Sequence, residues 1–487
     1  MTRSPFDLLF NPRGVVVAGA SSHPGKFGFV ALHNVLAGGY QGPVFATNPD
    51  RPSILGVQTR ASVSEVPAGT ADLVVVCTPT PHCADIVRSA ADRGIGAAFI
   101  ASGGFREAGA EGVRAEQELV ELARSLGLVM AGPNGQGLIS SPARLAAQIV
   151  APVPPPGPVA VASQSGNLVS AFMNHATHSG VGISRAVSAG NAAMVGVVDY
   201  LSWFADDPHT KAMAAYVEGV EDGREFAAAL RSVSAVKPVV VVKGGATASG
   251  ARAAASHTGA LATDNRVFTG MVRQCGGIRA ATIEEAFDAV AAFATQPLPA
   301  GPRTLVLSSA GGWGVITADA VSRSNLELMP LPADLEAAID RLVPPRWSRN
   351  NPIDLAGGES RDTIPEAIKV VTDHPEVDAV IYLGMGIQAN TASHLRSGPY
   401  FESAQLDRIS QYHERQDRRF AEAALEASSR TGKPVLAATE LAVTQPHNAG
   451  PAAVAAGGGY CFPSAERAVR ALHHLWWYAQ WRKRHVG

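Results

Sequence analysis

His257 stands in Ala255-Ser256-His257-Thr258-Gly259-Ala260, a run of small residues that follows the apolar stretch Pro238–Val242 and the glycine-broken loop Lys243–Gly250. A structural histidine is normally wedged among larger neighbours. This one is presented, as suits a group that must meet more than one partner. Two further segments belong with it. Ser163-Gln164-Ser165-Gly166-Asn167 ends one apolar run and opens a helical pattern, so hydroxyls and free N–H groups gather at a helix start, a ready anion site. Ala214-Ala215-Tyr216-Val217 ends in Glu218-Gly219. If these runs are parallel strands of one sheet, Ser165, Glu218 and His257 converge on its carboxyl edge although distant in sequence. A carboxylate beside an imidazole orients the ring and favours its cation. Such a histidine can accept a phosphoryl group through one nitrogen while the other is held. Taken singly, Glu218 reads equally as a strand-end acid and Ser165 as an ordinary N-cap.

Other loops carry weaker signals of the same kind. Gly19-Ala20-Ser21-Ser22-His23-Pro24-Gly25-Lys26-Phe27-Gly28 follows the first apolar run. Backbone N–H groups of such a turn can approach a phosphate, with Lys26 as a further contact. It is neither Gly-x-Gly-x-x-Gly nor a Walker loop, since Ser21 takes the second glycine's place and Phe27 that of Ser/Thr. A nucleotide-type ligand and plain tight packing fit it equally. Asn48-Pro49 ends the second run where a dinucleotide fold places an acid, and reads otherwise as a turn. Gly132-Pro133-Asn134-Gly135-Gln136-Gly137 is a ligand-facing loop or a turn. Ser308-Ser309-Ala310-Gly311-Gly312 could face phosphate at another helix start, and Asn351-Pro352-Ile353-Asp354 reads as a cap and turn.

The elements that position these loops are short valine-rich runs: 15–18, 43–46, 73–77, 97–101, 128–131, 159–162, 212–217, 239–242, 304–308, 379–383 and 435–438. Helical patterns such as 111–126 separate them. Runs apolar on both faces with helical crossovers predict parallel sheets covered on both sides, an α/β protein of about three doubly wound units. Proline-rich stretches at 151–157 and 296–302 bound the units, predicting domains at 1–150, 158–296 and 303–487. Ser464 is placed to cap a last helix. The polar run Gln388–Gln416 has poor strand character and reads as an inserted lobe or lid.

The 487 residues carry a net charge of −2, which gives no basic footprint for nucleic acid or an anionic membrane. No apolar run nears the roughly 20 residues of a membrane span, and the N-terminus lacks a signal-peptide core. Cys77, Cys83, Cys275 and Cys461 are too scattered for a disulfide framework or zinc, so no metal site is expected and a cytoplasmic location is.

The residues resemble the NDP-forming acyl-CoA synthetases, relatives of succinyl-CoA synthetase, and among them most nearly the α subunits of ADP-forming acetate–CoA ligases. The resemblance runs in order through Gly19-Ala20-Ser21, Asn48-Pro49, Gly104-Phe105-Arg106-Glu107, Gly132-Pro133-Asn134, Ser163-Gln164-Ser165-Gly166 and Gly190-Asn191. It continues through Tyr216-Val217-Glu218-Gly219, Ser256–Ala262, Gly311-Gly312 and Asn351–Asp354. It implies a Rossmann-like CoA-binding domain followed by two flavodoxin-like domains. Gly19, Ala20, Ser21, Lys26, Asn48, Pro49 and Asn134 would then meet coenzyme A. Ser165, Gly166, Gly311 and Gly312 would cradle phosphate, and His257, held by Glu218, would become phosphohistidine. The implied reaction interconverts acyl-CoA, phosphate and ADP with a carboxylic acid, CoA and ATP through an acyl phosphate. Three α/β units use the whole length, so ATP/ADP with Mg²⁺ would be bound by an ATP-grasp β subunit in a hetero-oligomer. Two departures stand out: Gly135 where the family often has cysteine, and Asp50-Arg51 where it has a lysine after Asn-Pro. The alternative from another class is a non-catalytic CoA or acyl-CoA sensor that keeps the fold. A mobile histidine would have no use there.

Overall fold

The computed structural model describes residues 3–150, 152–220, 222–250, 252, 264–309, 311–355 and 362–486; the predicted phosphohistidine, His257, lies outside the described residues. The chain divides into two compact units, one of Met1–Thr177 with Gly182–Ala286, the other of His178–Val181 with Phe287–Gly487.

The first unit holds two sheets. Strands β1 (Val15–Ala18), β2 (Val44–Thr47), β5 (Leu73–Val76), β6 (Ala97–Ile100) and β7 (Val129–Ala131) form a parallel sheet in the order β2-β1-β5-β6-β7. A small hairpin, β3 (Ser53–Ile54) and β4 (Val57–Gln58), follows β2. Every residue of β1, β5 and β6 is buried, because helices cover both faces, and the sequence is accordingly apolar without alternation.

The second sheet runs β14-β13-β12-β10-β11-β8-β9. Its parallel core is β10 (Pro156–Ser163), β11 (Ile183–Ser188), β12 (Ala212–Val217), β13 (Val239–Lys243) and β14 (Ile278–Ala280). The hairpin β8 (Gly137–Ser140) and β9 (Leu145–Gln148) joins it antiparallel to β11. Strand β11 hides an arginine. The Arg185 guanidinium, fully buried, meets the Asp207 carboxylate at 3.1 and 3.2 Å and lies 5.1 Å over the Trp203 ring. Only such pairing makes a buried charge tolerable.

The other unit carries β15 (Arg303–Ser308), β16 (Glu327–Leu328), β17 (Ile353–Asp354), β18 (Ala379–Leu383) and β19 (Val435–Ala438), ordered β16-β15-β18-β19. Strand β16 pairs with the start of β15 and β17 with its end. Asn351 fills the gap between them: its Oδ1 accepts the Val306 N–H at 3.0 Å, and its Nδ2 donates to the Thr304 and Met329 carbonyls, each at 2.9 Å. The segment read as an inserted lobe or lid is instead two helices, Ile387–Ser397 and Asp407–Thr431. Phe420, Ala421 and Ala424 of the second enter the unit's core. Its fully buried Asp417 accepts N–H groups of Gly386 and Ala389, at 3.2 and 2.6 Å, where the first helix begins. Ser464 caps the last helix, accepting the Arg467 N–H at 3.3 Å. No described helix is long and apolar enough to cross a membrane.

Candidate active site

Parallel neighbours β10, β12 and β13 place Ser163 opposite Tyr216 and Val217 opposite Lys243, so their carboxyl ends finish level. Everything at this edge follows from that register. Ser163 Oγ accepts the Ser165 N–H at 3.1 Å and donates to the Ser165 carbonyl at 2.7 Å, turning the chain into the helix Gly166–Ser179. The first turn has no acidic residue, leaving its positive dipole end without a local counter-charge. Gly166 lies close under the Gln136 side chain, which occupies the space a Cβ would take. Gln136 Nε2 also donates to Asn167 Oδ1 at 3.2 Å.

Glu218 follows β12 and is fixed from several sides. Gln164 Oε1 accepts the N–H groups of Glu218 (2.5 Å) and Gly219 (3.2 Å), while Gln164 Nε2 donates to the Gly219 carbonyl at 3.2 Å. This side chain serves as a backbone for a loop that has left the sheet. Tyr216 donates its hydroxyl to Glu218 Oε1 at 3.2 Å; burial, reinforced by the Glu218 charge, raises the phenol's pKa and keeps it a donor. The structure thus brings Ser165, Gly166 and Glu218 to one edge, together with Lys243 and Gly244, from which the chain runs on toward His257.

The carboxyl edge of the first sheet holds the remaining loops. Gly19 adopts φ +83°, and a Cβ there would come 2.7 Å from Thr78 Cγ2. Gly28 lies against the Gly19 carbonyl, again with no room for a side chain. Tight packing therefore accounts for both glycines. Ser22 to Lys26 are exposed, and the helix Phe27–Ala37 begins after Lys26 with no side-chain cap, so its first N–H groups are open to an anion. Asn48 builds the turn: Nδ2 donates to the Ala20 carbonyl at 2.8 Å, and Oδ1 accepts the Asp50 N–H at 2.9 Å. Arg51, beyond Pro49, pairs with Glu65 at 2.6 Å. Ser21 accepts the His23 N–H within the loop.

Asn134 sits at φ +58° where three loops meet. Its Nδ2 donates to Asn191 Oδ1 at 3.3 Å, and Asn191 Nδ2 donates to Glu107 Oε2 and Glu116 Oε2, each at 2.7 Å. Glu107 also accepts the N–H groups of Gly104 and Phe105. Burial would raise its pKa, but Asn191 and these amides hold it below the usual carboxylate value. Gly190, at φ +57°, lets its loop lie against the Pro133 carbonyl. The motifs around Glu107 and Asn191, to which no role falls from the residues alone, thus lock the Asn134 loop to the second sheet; an acid and an amide in glycine loops were the only signal. At Gly135 a Cβ would meet the Ser188 carbonyl oxygen at 2.5 Å and the Phe99 ring at 2.6 Å, so the position has no space for a side chain. Cys77 and Cys83 are free thiols, and burial pushes Cys77 up to about 12.

In the second unit Gly311 and Gly312 open the helix Gly311–Ser322, and a Cβ on Gly311 would meet the Asp354 carboxylate at 2.5 Å.

Three family models match the chain: a CoA binding domain over residues 13–140, a succinyl-CoA ligase like flavodoxin domain over 156–293, and a ligase-CoA domain over 304–390. The α subunit of ADP-forming acetate–CoA ligase I of Pyrococcus furiosus is 33% identical over 98% of this chain and 99% of its own length. The α subunit of ligase II from that organism is 36% identical over 77% and 81%. The solved structure of the dinucleotide-forming acetyl-coenzyme A synthetase 1 of Ca. Korarchaeum cryptofilum, in complex with phosphate and ADP, superposes with a TM-score of 0.83 at 32% identity, covering 98% of this chain and 97% of that one. The chain belongs to the ADP-forming acyl-CoA ligase family, as an α-subunit-type member, and is an enzyme subunit of that class.

Proposed function

We propose that this chain is the CoA-binding, phosphohistidine-bearing subunit of an acid–thiol ligase that interconverts acyl-CoA, phosphate and ADP with a carboxylic acid, CoA and ATP. The observation that carries the reading is the shared edge of β10, β12 and β13. There the helix start at Ser165-Gly166, a braced Glu218 and the root of the His257 segment lie together, with the Asn134 loop joined to the same sheet. Coenzyme A would meet the open helix start after Lys26, the loops at Gly19–Ser21 and Asn48-Pro49, and Asn134. Phosphate attacks the thioester carbonyl, the carbon–sulfur bond breaks and the thiolate leaves as CoA. The acyl phosphate then gives its phosphoryl group to His257: the bond from phosphorus to the carboxylate oxygen breaks, and one from phosphorus to nitrogen forms. Glu218 holds the ring N–H on the other nitrogen, and the N–H groups at Ser165-Gly166 bear the phosphate charge. In the second unit Gly311 and Gly312 supply an equivalent helix start for the later transfer.

The nucleotide, with Mg²⁺, belongs to an ATP-grasp partner chain. Relatives named α subunits match along most of their length, whereas this chain covers 54% of acetate–CoA ligase I of Archaeoglobus fulgidus. The reading includes a cytoplasmic hetero-oligomer. The decisive experiment incubates the purified chain with ³²P-acetyl phosphate, and with labelled ATP, Mg²⁺ and an ATP-grasp subunit. An acid-labile, base-stable label on His257, discharged by acid plus CoA in the presence of the partner, is expected. CoA binding without any label would leave a CoA sensor instead.

A further inference from the structure

We infer that Lys243 is a positioning residue of the phosphoryl-transfer step, one buried ammonium group tying the main chain of Glu218 to the root of the segment that carries His257. The inference rests on the reading above and deepens it. Lys243 ends β13 and is 5% exposed. Its Nζ donates to the Glu218 carbonyl at 2.7 Å and to the Gly244 carbonyl at 2.5 Å, and lies 5.8 Å from the centre of the Phe268 ring. Among the described residues no carboxylate comes within 4 Å of it. Two carbonyls and a ring face therefore replace its water.

That arrangement is a poor way to gain stability. Burial lowers the ammonium's pKa, Arg279 pushes the same way, and only the Glu218 charge opposes them. A methionine would fill the same space without the desolvation cost. What it would lack is the tie. Gly244 packs close against the same group of residues, since a Cβ there would run into the Tyr216 hydroxyl, which donates to Glu218 Oε1. Lys243, Gly244, Tyr216 and Glu218 thus form one cluster in which the lysine fixes both the acid's backbone and the point from which the histidine segment departs. Among the described residues, the charged or titratable groups facing Glu218 and the lysine include Tyr216 and Arg279.

The test uses the purified full chain and ³²P-acetyl phosphate, which needs no nucleotide partner. For Lys243→Met we expect labelling of His257 to slow about 10- to 100-fold at saturating acetyl phosphate, with the KM changed less than about 2-fold. Lys243→Arg keeps the charge and the donors and should recover most of the labelling rate. If the methionine variant does not fold, Lys243→Gln, neutral but still a donor, carries the same expectation. Wild-type rates in the folded neutral variant overturn the inference, as does a loss that falls on KM and leaves the maximal rate unchanged, which marks a merely structural lysine. An unlabelled wild-type chain overturns the functional reading itself and takes this inference with it.

Discussion

Gln164→Leu removes a side chain that completes three backbone hydrogen bonds of the Glu218 loop. Three main-chain groups lose their partner: the N–H groups of Glu218 and Gly219 and the carbonyl of Gly219. A buried group left unmade costs about 1–3 kcal/mol. Gln164 is half-buried, so water recovers part of this, and a total of about 2–4 kcal/mol is expected. Domains of this kind have about 5–15 kcal/mol in hand, so the variant should still fold. Gln164→Glu retains both acceptances and loses one donation, for about 1 kcal/mol. The chemical effect should be larger than the thermodynamic one, because a displacement of about 1 Å in a positioned group costs roughly 100-fold in rate. Urea unfolding followed by tryptophan fluorescence gives the first quantity, and the rate of His257 labelling by ³²P-acetyl phosphate the second. A leucine variant within about 0.5 kcal/mol of wild type and labelled at the wild-type rate would show that Gln164 does not hold the loop.

Gly190→Ala must force a side chain into the Pro133 carbonyl at a positive φ, and should cost about 2–5 kcal/mol in the same unfolding assay; a loss below 1 kcal/mol would refute the close approach. His257→Ala should abolish labelling while CoA binding, measured calorimetrically, is kept, and Glu218→Gln should slow labelling without lowering the melting temperature; label on the alanine variant would end the phosphohistidine mechanism. Burial raises Asp417 to about 6, against the backbone N–H groups of Ala389, Gly386 and Gln388 that lower it. A raised carboxyl favours the protonated folded state, so its contribution to stability should grow as pH falls from 7 toward 4, by about 2 kcal/mol relative to Asp417→Asn. A pH-independent difference between the two proteins would contradict that burial effect.

The strands that the sequence makes plain are those with nothing polar inside, such as β1 and β5, where covering helices demand an apolar residue at every position. Strand β11 escapes the same reading because Arg185 interrupts it, and the partner that excuses the charge, Asp207, comes from another element. The hairpin of β8 and β9 is short, alanine- and serine-bearing, and makes sense only against the edge of β11. The two helices within 387–431 bury Asp417 through backbone N–H groups, a pairing that no spacing rule exposes. At the candidate site, the convergence of Ser165 with Glu218 is legible because parallel strands share a carboxyl edge. The braces Gln164 and Lys243 are not, because each acts through main-chain atoms that a sequence pattern does not show.

The hairpin of β8 and β9 has a practical consequence for anyone dividing this protein. It follows directly from the Asn134 loop of the first sheet, yet it closes one side of the second, where β8 pairs with β11 through four residues. A fragment ending near residue 150 would display β8 with its pairing edge bare, and one starting at Pro156 would uncover β11. Exposed edges of this kind invite strand-to-strand aggregation. Neither half of the first unit is therefore a natural piece for separate expression, and insoluble truncations here would report a severed sheet, not an unstable core.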